Sequence, residues 1–164
     1  MNFKNTLLIG ALSGFIVGVL FIYVQPLFGM SPLTDRHAAA YTQLSNIGPS
    51  IALIVAWTAH LLVSIGYGIA TGLALFISKD LLSFGIFIAA LGWITTVIAG
   101  PANQLIVRVV TRDGFPSLNG LPPLNFNLDA KLLLHLIFFL AIGVFLLGYS
   151  YLGKHKADSL RQSA

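Results

Sequence analysis

Apolar residues in this chain are gathered into four long blocks, with the polar residues collected between them. The blocks cover about 6–24, 50–77, 81–100 and 131–152. A helix needs roughly 20 mostly apolar residues to cross a bilayer, and each block supplies about that many. Lys4 precedes the first block and Gln25-Pro26 closes it. Pro49 opens the second, where its missing N–H is harmless in a first helical turn. Lys79-Asp80 is all that separates the second block from the third, which predicts a tight antiparallel hairpin. The fourth ends in Gly153-Lys154-His155-Lys156. The pattern predicts an all-α membrane protein, a four-helix transmembrane bundle forming a single integral membrane domain over 1–164.

Two turn-rich segments remain, about 25–49 and 108–129, and they fall on the same side of the membrane. The first contains Pro26, Pro32, Asp35, Arg36 and His37. The second contains Arg112-Asp113-Gly114, Pro116 and Leu121-Pro122-Pro123. Ala38, Ala39, Ala40 and Tyr41 suggest a short helix on the membrane surface. The tail after Lys156 is polar and is expected to fray. The first block lacks a clear small-residue cleavage site and is kept as a span rather than a signal peptide.

Composition agrees. Of 164 residues, 57% are hydrophobic and 9% charged, whereas a soluble domain has about 25% charged residues. Too few charges are present to cover a water-soluble surface, so a soluble enzyme or nucleic-acid-binding domain is excluded. The pI near 9.6 then reflects basic residues that flank membrane spans. Cysteine is absent, which removes disulfides, thiol catalysis and thiolate metal sites. All five acids are Asp, and all lie outside the spans.

Lys and Arg near the span ends set the orientation. One side holds Lys4, Lys79, Lys154, Lys156 and Arg161; the other holds Arg36, Arg108, Arg112 and Lys131. The first set sits in shorter segments, so both termini are expected in the cytoplasm.

In lipid, helices associate by close approach at small residues. Gly10, Gly14 and Gly18 recur every four residues on one face of the first span. They predict a close helix contact inside the bundle, or alternatively a homodimer interface. Gly85, Ala89, Gly92, Thr96 and Gly100 predict a second seam on the third span. Pro101 follows. A helix continuing through it would kink and leave the Val97 carbonyl free. Asn103 and Gln104 come next, either to satisfy freed backbone groups or to line a polar pocket.

Ionisable groups within a span are costly and point to function. His60 lies near mid-depth of the second span, and His135 lies early in the fourth. Trp57, His60, Ser64, Tyr67 and Thr71 share one helical face of the second span. A neutral His60 donating to Ser64 or to a neighbouring helix carbonyl would act as an interhelical clamp. Protonation of His60 is a second reading. Haem b ligation by His60 and His135 is a third, and it requires the two imidazoles to face each other across roughly 9 Å of axial offset. Asp35, His37, Asp129 and His135 are of metal-ligating type, but their spacing matches no ligand pattern. The plain expectation is interfacial polar residues, with no metal and no cofactor. Arg108, Arg112 and Lys131 are basic enough to meet an anionic headgroup, though interfacial anchoring is their simplest role. No Walker loop, HExxH, GxSxG or dinucleotide fingerprint is present.

Thr58-Ala59-His60, Ser64, Gly66-Tyr67, Gly100-Pro101, Leu121-Pro122-Pro123 and His135-Leu136 carry a family resemblance. Over roughly 57–145 the chain resembles the YagU-like four-span inner-membrane proteins of bacteria. The resemblance implies a link to survival in acid, with His60 and His135 as the positions of interest. The sequence therefore predicts a small multi-pass protein of the bacterial inner membrane without catalytic chemistry, tied to acid or envelope stress through a buried histidine. The alternatives are a haem b electron-transfer subunit, an accessory subunit of a larger membrane complex, and a small transporter that would need a dimer. The expected surroundings are the lipid bilayer, a homodimer partner or a larger membrane complex, and no nucleic acid.

Overall fold

A computed structural model gives the fold and describes residues 2–111 and 120–162, with side chains as far as Leu152. Helix α1 spans Phe3–Val24 and leads through a 3-10 turn, Gln25–Phe28, into α2 at Leu33–Leu44. Helices α3 (Pro49–Ile77), α4 (Leu81–Thr111) and α5 (Ala130–Gln162) follow. Four segments are long and apolar enough to cross a membrane: Phe3–Phe28, Pro49–Ile77, Leu81–Thr111 and Ala130–Leu152. Many of their large apolar side chains face outward, among them Leu8, Ile54, Leu62, Ile86 and Val144. Lipid tails are as apolar as these residues, so the exposure carries little cost in a bilayer.

The helix starts are set by side-chain caps. Asn2 accepts the Asn5 N–H at 2.9 Å. In the α3–α4 hairpin, Asp80 accepts the Ser83 N–H at 2.7 Å while the Ser83 hydroxyl accepts the Asp80 N–H at 3.2 Å. This reciprocal pair satisfies two of the donors that a helix start leaves orphaned. The Ser83 hydrogen bonds hold the Asp80 carboxyl below its usual range. Asp129 accepts the N–H groups of Lys131 and Leu132 at 2.9 and 3.2 Å to start α5.

Helices α1 and α3 pack antiparallel along glycine. Gly10 and Gly14 lie against Gly68, with Gly72 beside Gly10, and Gly18 lies against Ser64. A Cβ on Gly14 would sit 2.9 Å from the Gly68 Cα, and one on Gly18 would sit 2.6 Å from the Ser64 Cβ. Only hydrogen fits, so the backbones approach as closely as small residues allow. The face that offered a dimer interface is therefore covered by α3 of the same chain.

Helix α5 packs beside this pair. Phe138 meets Phe21 edge-on at 5.0 Å and Tyr67 at 5.9 Å. Ile142 and Leu146 are fully buried with Val17 in the same cluster. Helix α4 closes on α5 where Gly92 receives Leu136 and Gly143 receives Phe84 and Ile88.

Several expectations are corrected. Gly85 is outside the seam: nothing lies within 4 Å of where its Cβ would be. At that end α4 contacts α5 through Phe84 and Ile88, and the contact face turns to Gly92 and Thr96 only further along. Helix α4 does not stop at Gly100 but continues through Pro101 to Thr111. The carbonyl of Val97, which Pro101 cannot bond, accepts the backbone N–H of Asn125 at 3.0 Å. Helix α5 continues past Leu152 to Gln162, because the tail contains good helix formers and no proline. The helix around Ala38 to Tyr41 is longer than expected. It lies on the bundle, with Tyr41 fully buried against Ala52, Ala56 and Val107. Arg112, Asp113, Gly114 and Pro116 lie outside the described residues.

Candidate functional site

The end of the bundle carrying α2 and residues 120–129 is hollow. All five helices and that segment line a cavity of about 480 Å³, a size typical of small-molecule sites. The opposite end is closed by Ala74, Phe84, Ile88 and Phe139. At the hollow end α3 and α4 present Ala59, Ala99, Gly100 and Ala102, whose small side chains leave the space unfilled. From Lys131 at the mouth to Phe138 at the floor is about two helical turns of α5, roughly 10 Å.

Three imidazoles from three elements line this cavity: His37 of α2, His60 of α3 and His135 of α5. His60 lies next to α1, and its Nε2–H donates to the Gly18 carbonyl at 2.9 Å. Gly18 makes this bond reachable, because a larger residue there would push α3 away. The Trp57 ring stands edge-on to His60 at 6.3 Å. The Ser64 hydroxyl bonds its own helix, donating to the His60 carbonyl at 2.9 Å, and Thr71 does the same to Tyr67 at 2.8 Å. Those two hydroxyls are thereby satisfied locally. Tyr67 lines the cavity and packs on Phe138 and Phe139.

His135 is held from two sides. Its Nδ1 lies 2.8 Å from the Lys131 carbonyl and 3.0 Å from the Thr96 hydroxyl. The Thr96 hydroxyl spends its proton on Gly92 at 2.7 Å. The network therefore assigns the proton to Nδ1 and leaves Nε2 with a free lone pair.

His37 is different. It is 6% exposed, and its Nδ1 is buried without a hydrogen-bond partner. Thr34 Oγ1 and Tyr41 Oη share this condition on the same face of α2. Burial, then the adjacent Arg36, then His60 lower the His37 pKa to about 4. Burial raises the Tyr41 phenol.

Most of the remaining lining is apolar, Met30, Val63, Ile106 and Leu134 among it, and a smaller polar and cationic part is set within it. Arg36 and Lys131 stand at the mouth, with Gln25, Asn103 and Asn125 nearby. Gln25 accepts the Leu33 N–H at 2.7 Å and so steadies the start of α2. Asn125 donates to Asp129 at 3.3 Å. Partial burial pushes the Asp129 carboxyl upward. Hydrogen bonds from Leu132, Asn125 and Lys131, together with the Lys131 charge, outweigh this and hold it below its usual range. Among the described residues, no carboxylate lines the cavity.

The structure thus brings His60, Ser64, Tyr67, His135 and Asn103 to one place. Gln104, expected with Asn103, is outside the lining, since the next residue on a helix points about 100° away. Thr71 lies one turn too deep to reach it. Asp35, His37, Asp129 and His135 do not converge, and among the described residues no three His or Asp side chains are grouped to hold a metal. Two features escaped the sequence reading. Gly68 and Gly72, four apart, are the counterpart of the α1 glycines. Thr34, His37 and Tyr41, spaced three and four, mark the inward face of α2.

Comparison with known proteins finds no matching family model, no matching curated relative and no matching solved structure. Fold and site define a class: an all-helical protein with four helices long and apolar enough to span a membrane and a histidine-lined cavity at one end.

Proposed function

We propose that this is a small, non-enzymatic protein of the bacterial inner membrane that responds to acid through the imidazoles of its cavity. Both termini face the cytoplasm in this reading, because Lys4 and Lys79 lie in the shorter flanks, and the cavity opens toward the outer face. The observation that carries it is His37, an imidazole 6% exposed, with no partner for Nδ1, on a helix covering the cavity. A charged imidazole is poorly accommodated there. Arg36 stands beside it, Tyr41 shares its face, His60 faces it from α3, and Lys131 and His135 line the same cavity from α5. Helix α4 contributes Asn103 and no titratable group to the lining.

Acid then adds a proton among groups that are neutral or positive. The resulting repulsion acts on α2, whose hold on the bundle is Tyr41 against Ala52, Ala56 and Val107. Helix α2 lifts and the cavity opens. His60, bonded to Gly18, serves as a clamp that keeps α1 and α3 together. The link to acid survival implied by the YagU-like resemblance points the same way.

Amide exchange of residues 33–44, measured in nanodiscs between pH 7.5 and 3.5, tests this. Protection factors, taken relative to the intrinsic exchange rate at each pH, are expected to fall as the pH falls toward 4, and His37→Gln is expected to flatten the response. An unchanged response in that variant overturns the assignment to His37.

A further inference from the structure

We propose that the cavity is a binding site for a phosphate-type oxyanion, held at its mouth by Arg36 and Lys131. The two cations come from different elements, α2 and α5, and line one cavity from which carboxylates are absent among the described residues. The acids nearest in sequence do not take this role. Asp35 is exposed and outside the lining, and Asp129 is engaged with Asn125 and the first turn of α5. Guanidinium and ammonium groups are donors only, and together they offer up to eight N–H groups. A tetrahedral oxyanion with several acceptor oxygens matches such a donor set better than a neutral ligand does.

The second observation is His37. Its imidazole is more than nine-tenths buried, lines the cavity and leaves Nδ1 unpartnered. Buried polar atoms in native proteins are nearly always bonded, to protein, water or ligand. Asn103 and Asn125 also line the cavity, with amide groups able to donate. Phe21, Leu134 and Phe138 add apolar surface to the same lining, beside the polar His60, Ser64 and His135. The site accordingly suits an oxyanion presented by a lipid headgroup or by a soluble phosphate, and the two sources share this chemistry.

The proposal stands apart from the acid response, since it applies at pH 7.5, where His37 is neutral. The test uses the full chain in phosphatidylcholine nanodiscs at that pH, with calorimetric titration of inorganic phosphate and, separately, of short-chain phosphatidic acid. Saturable binding of at least one probe is expected. Arg36→Gln combined with Lys131→Gln is expected to weaken it by at least roughly tenfold, since each removes a charge-assisted hydrogen bond. Both residues are exposed, and an unchanged melting temperature confirms that the double variant remains folded. Lys79→Gln, at the far end of the bundle, is expected to bind as the parent does. Binding of phosphatidic acid that phosphate does not displace supports a lipid source, and binding of phosphate supports a soluble one. Failure of both probes to bind, or binding indifferent to the Arg36 and Lys131 substitutions, overturns the proposal.

Discussion

The backbone N–H of Asn125 donates to the carbonyl of Val97 across 3.0 Å. That carbonyl is the one that Pro101 leaves unbonded inside α4. A residue in the 120–129 segment thus repairs a defect in α4, and the segment is fastened over the cavity by the same bond. Replacing Pro101 by Ala restores a donor within the helix, where proline costs about 3 kcal/mol. The expected result for Pro101→Ala is an unchanged or higher melting temperature together with faster amide exchange at 120–129. Exchange that stays slow there would mean other contacts anchor the segment.

Close approach of α1 and α3 depends on glycine. Gly14→Val places atoms where the Ser64 carbonyl and the Gly68 Cα already are. Overpacking of this kind costs about 1–3 kcal/mol. Gly66→Ala is the control, because nothing lies within 4 Å of its Cβ position. Unfolding in mixed micelles is expected to show a clear loss for Gly14→Val and none for Gly66→Ala.

The His60 to Gly18 bond is a single interhelical hydrogen bond. Such bonds in membrane proteins contribute about 0.6 kcal/mol on average. His60→Phe is therefore expected to lower stability modestly, and the combination with Gly18→Ala to be less than additive. Strict additivity in the double-mutant cycle would deny the coupling.

Stability is expected to depend on pH through His37. Its pKa is lowered to about 4 in the fold, from 6.5. Between those values the unfolded chain holds the proton and the folded chain does not. The His37 contribution is thus complete above pH 6.5 and is lost as the pH falls toward 4. Melting temperatures from pH 7.5 to 4 are expected to fall more steeply for the parent than for His37→Gln. Parallel curves would remove His37 from the account.

Haem ligation by His60 and His135 makes its own optical prediction. Both line one cavity, but Nε2 of His60 is bonded to Gly18, and coordination through that nitrogen would break this bond. The purified protein is expected to be colourless even with ample haem during expression. A Soret band lost in His60→Ala and in His135→Ala would establish the haem subunit instead.

The four long apolar helices, the tight hairpin at Lys79-Asp80 and the glycine face of α1 are all legible in the sequence. Each is written in local periodicity and in the demand that a helix in lipid satisfy its own backbone. The sequence also marks His60 and His135, because an ionisable residue within an apolar block stands out whatever surrounds it. What those features face depends on how the helices pack. Gly10, Gly14 and Gly18 meet Gly68 and Gly72 of the same chain, and Gly85 meets nothing, because a crossing angle cannot be read from one helix. Helix α4 passes through Pro101 because Asn125, 24 residues away in sequence, supplies the missing donor. In the sequence His37 is an ordinary interfacial residue, whereas in the fold α2 lies over the bundle. Only that placement buries its ring and joins it to His60 and His135, since a cavity belongs to the arrangement of helices and to none of them singly.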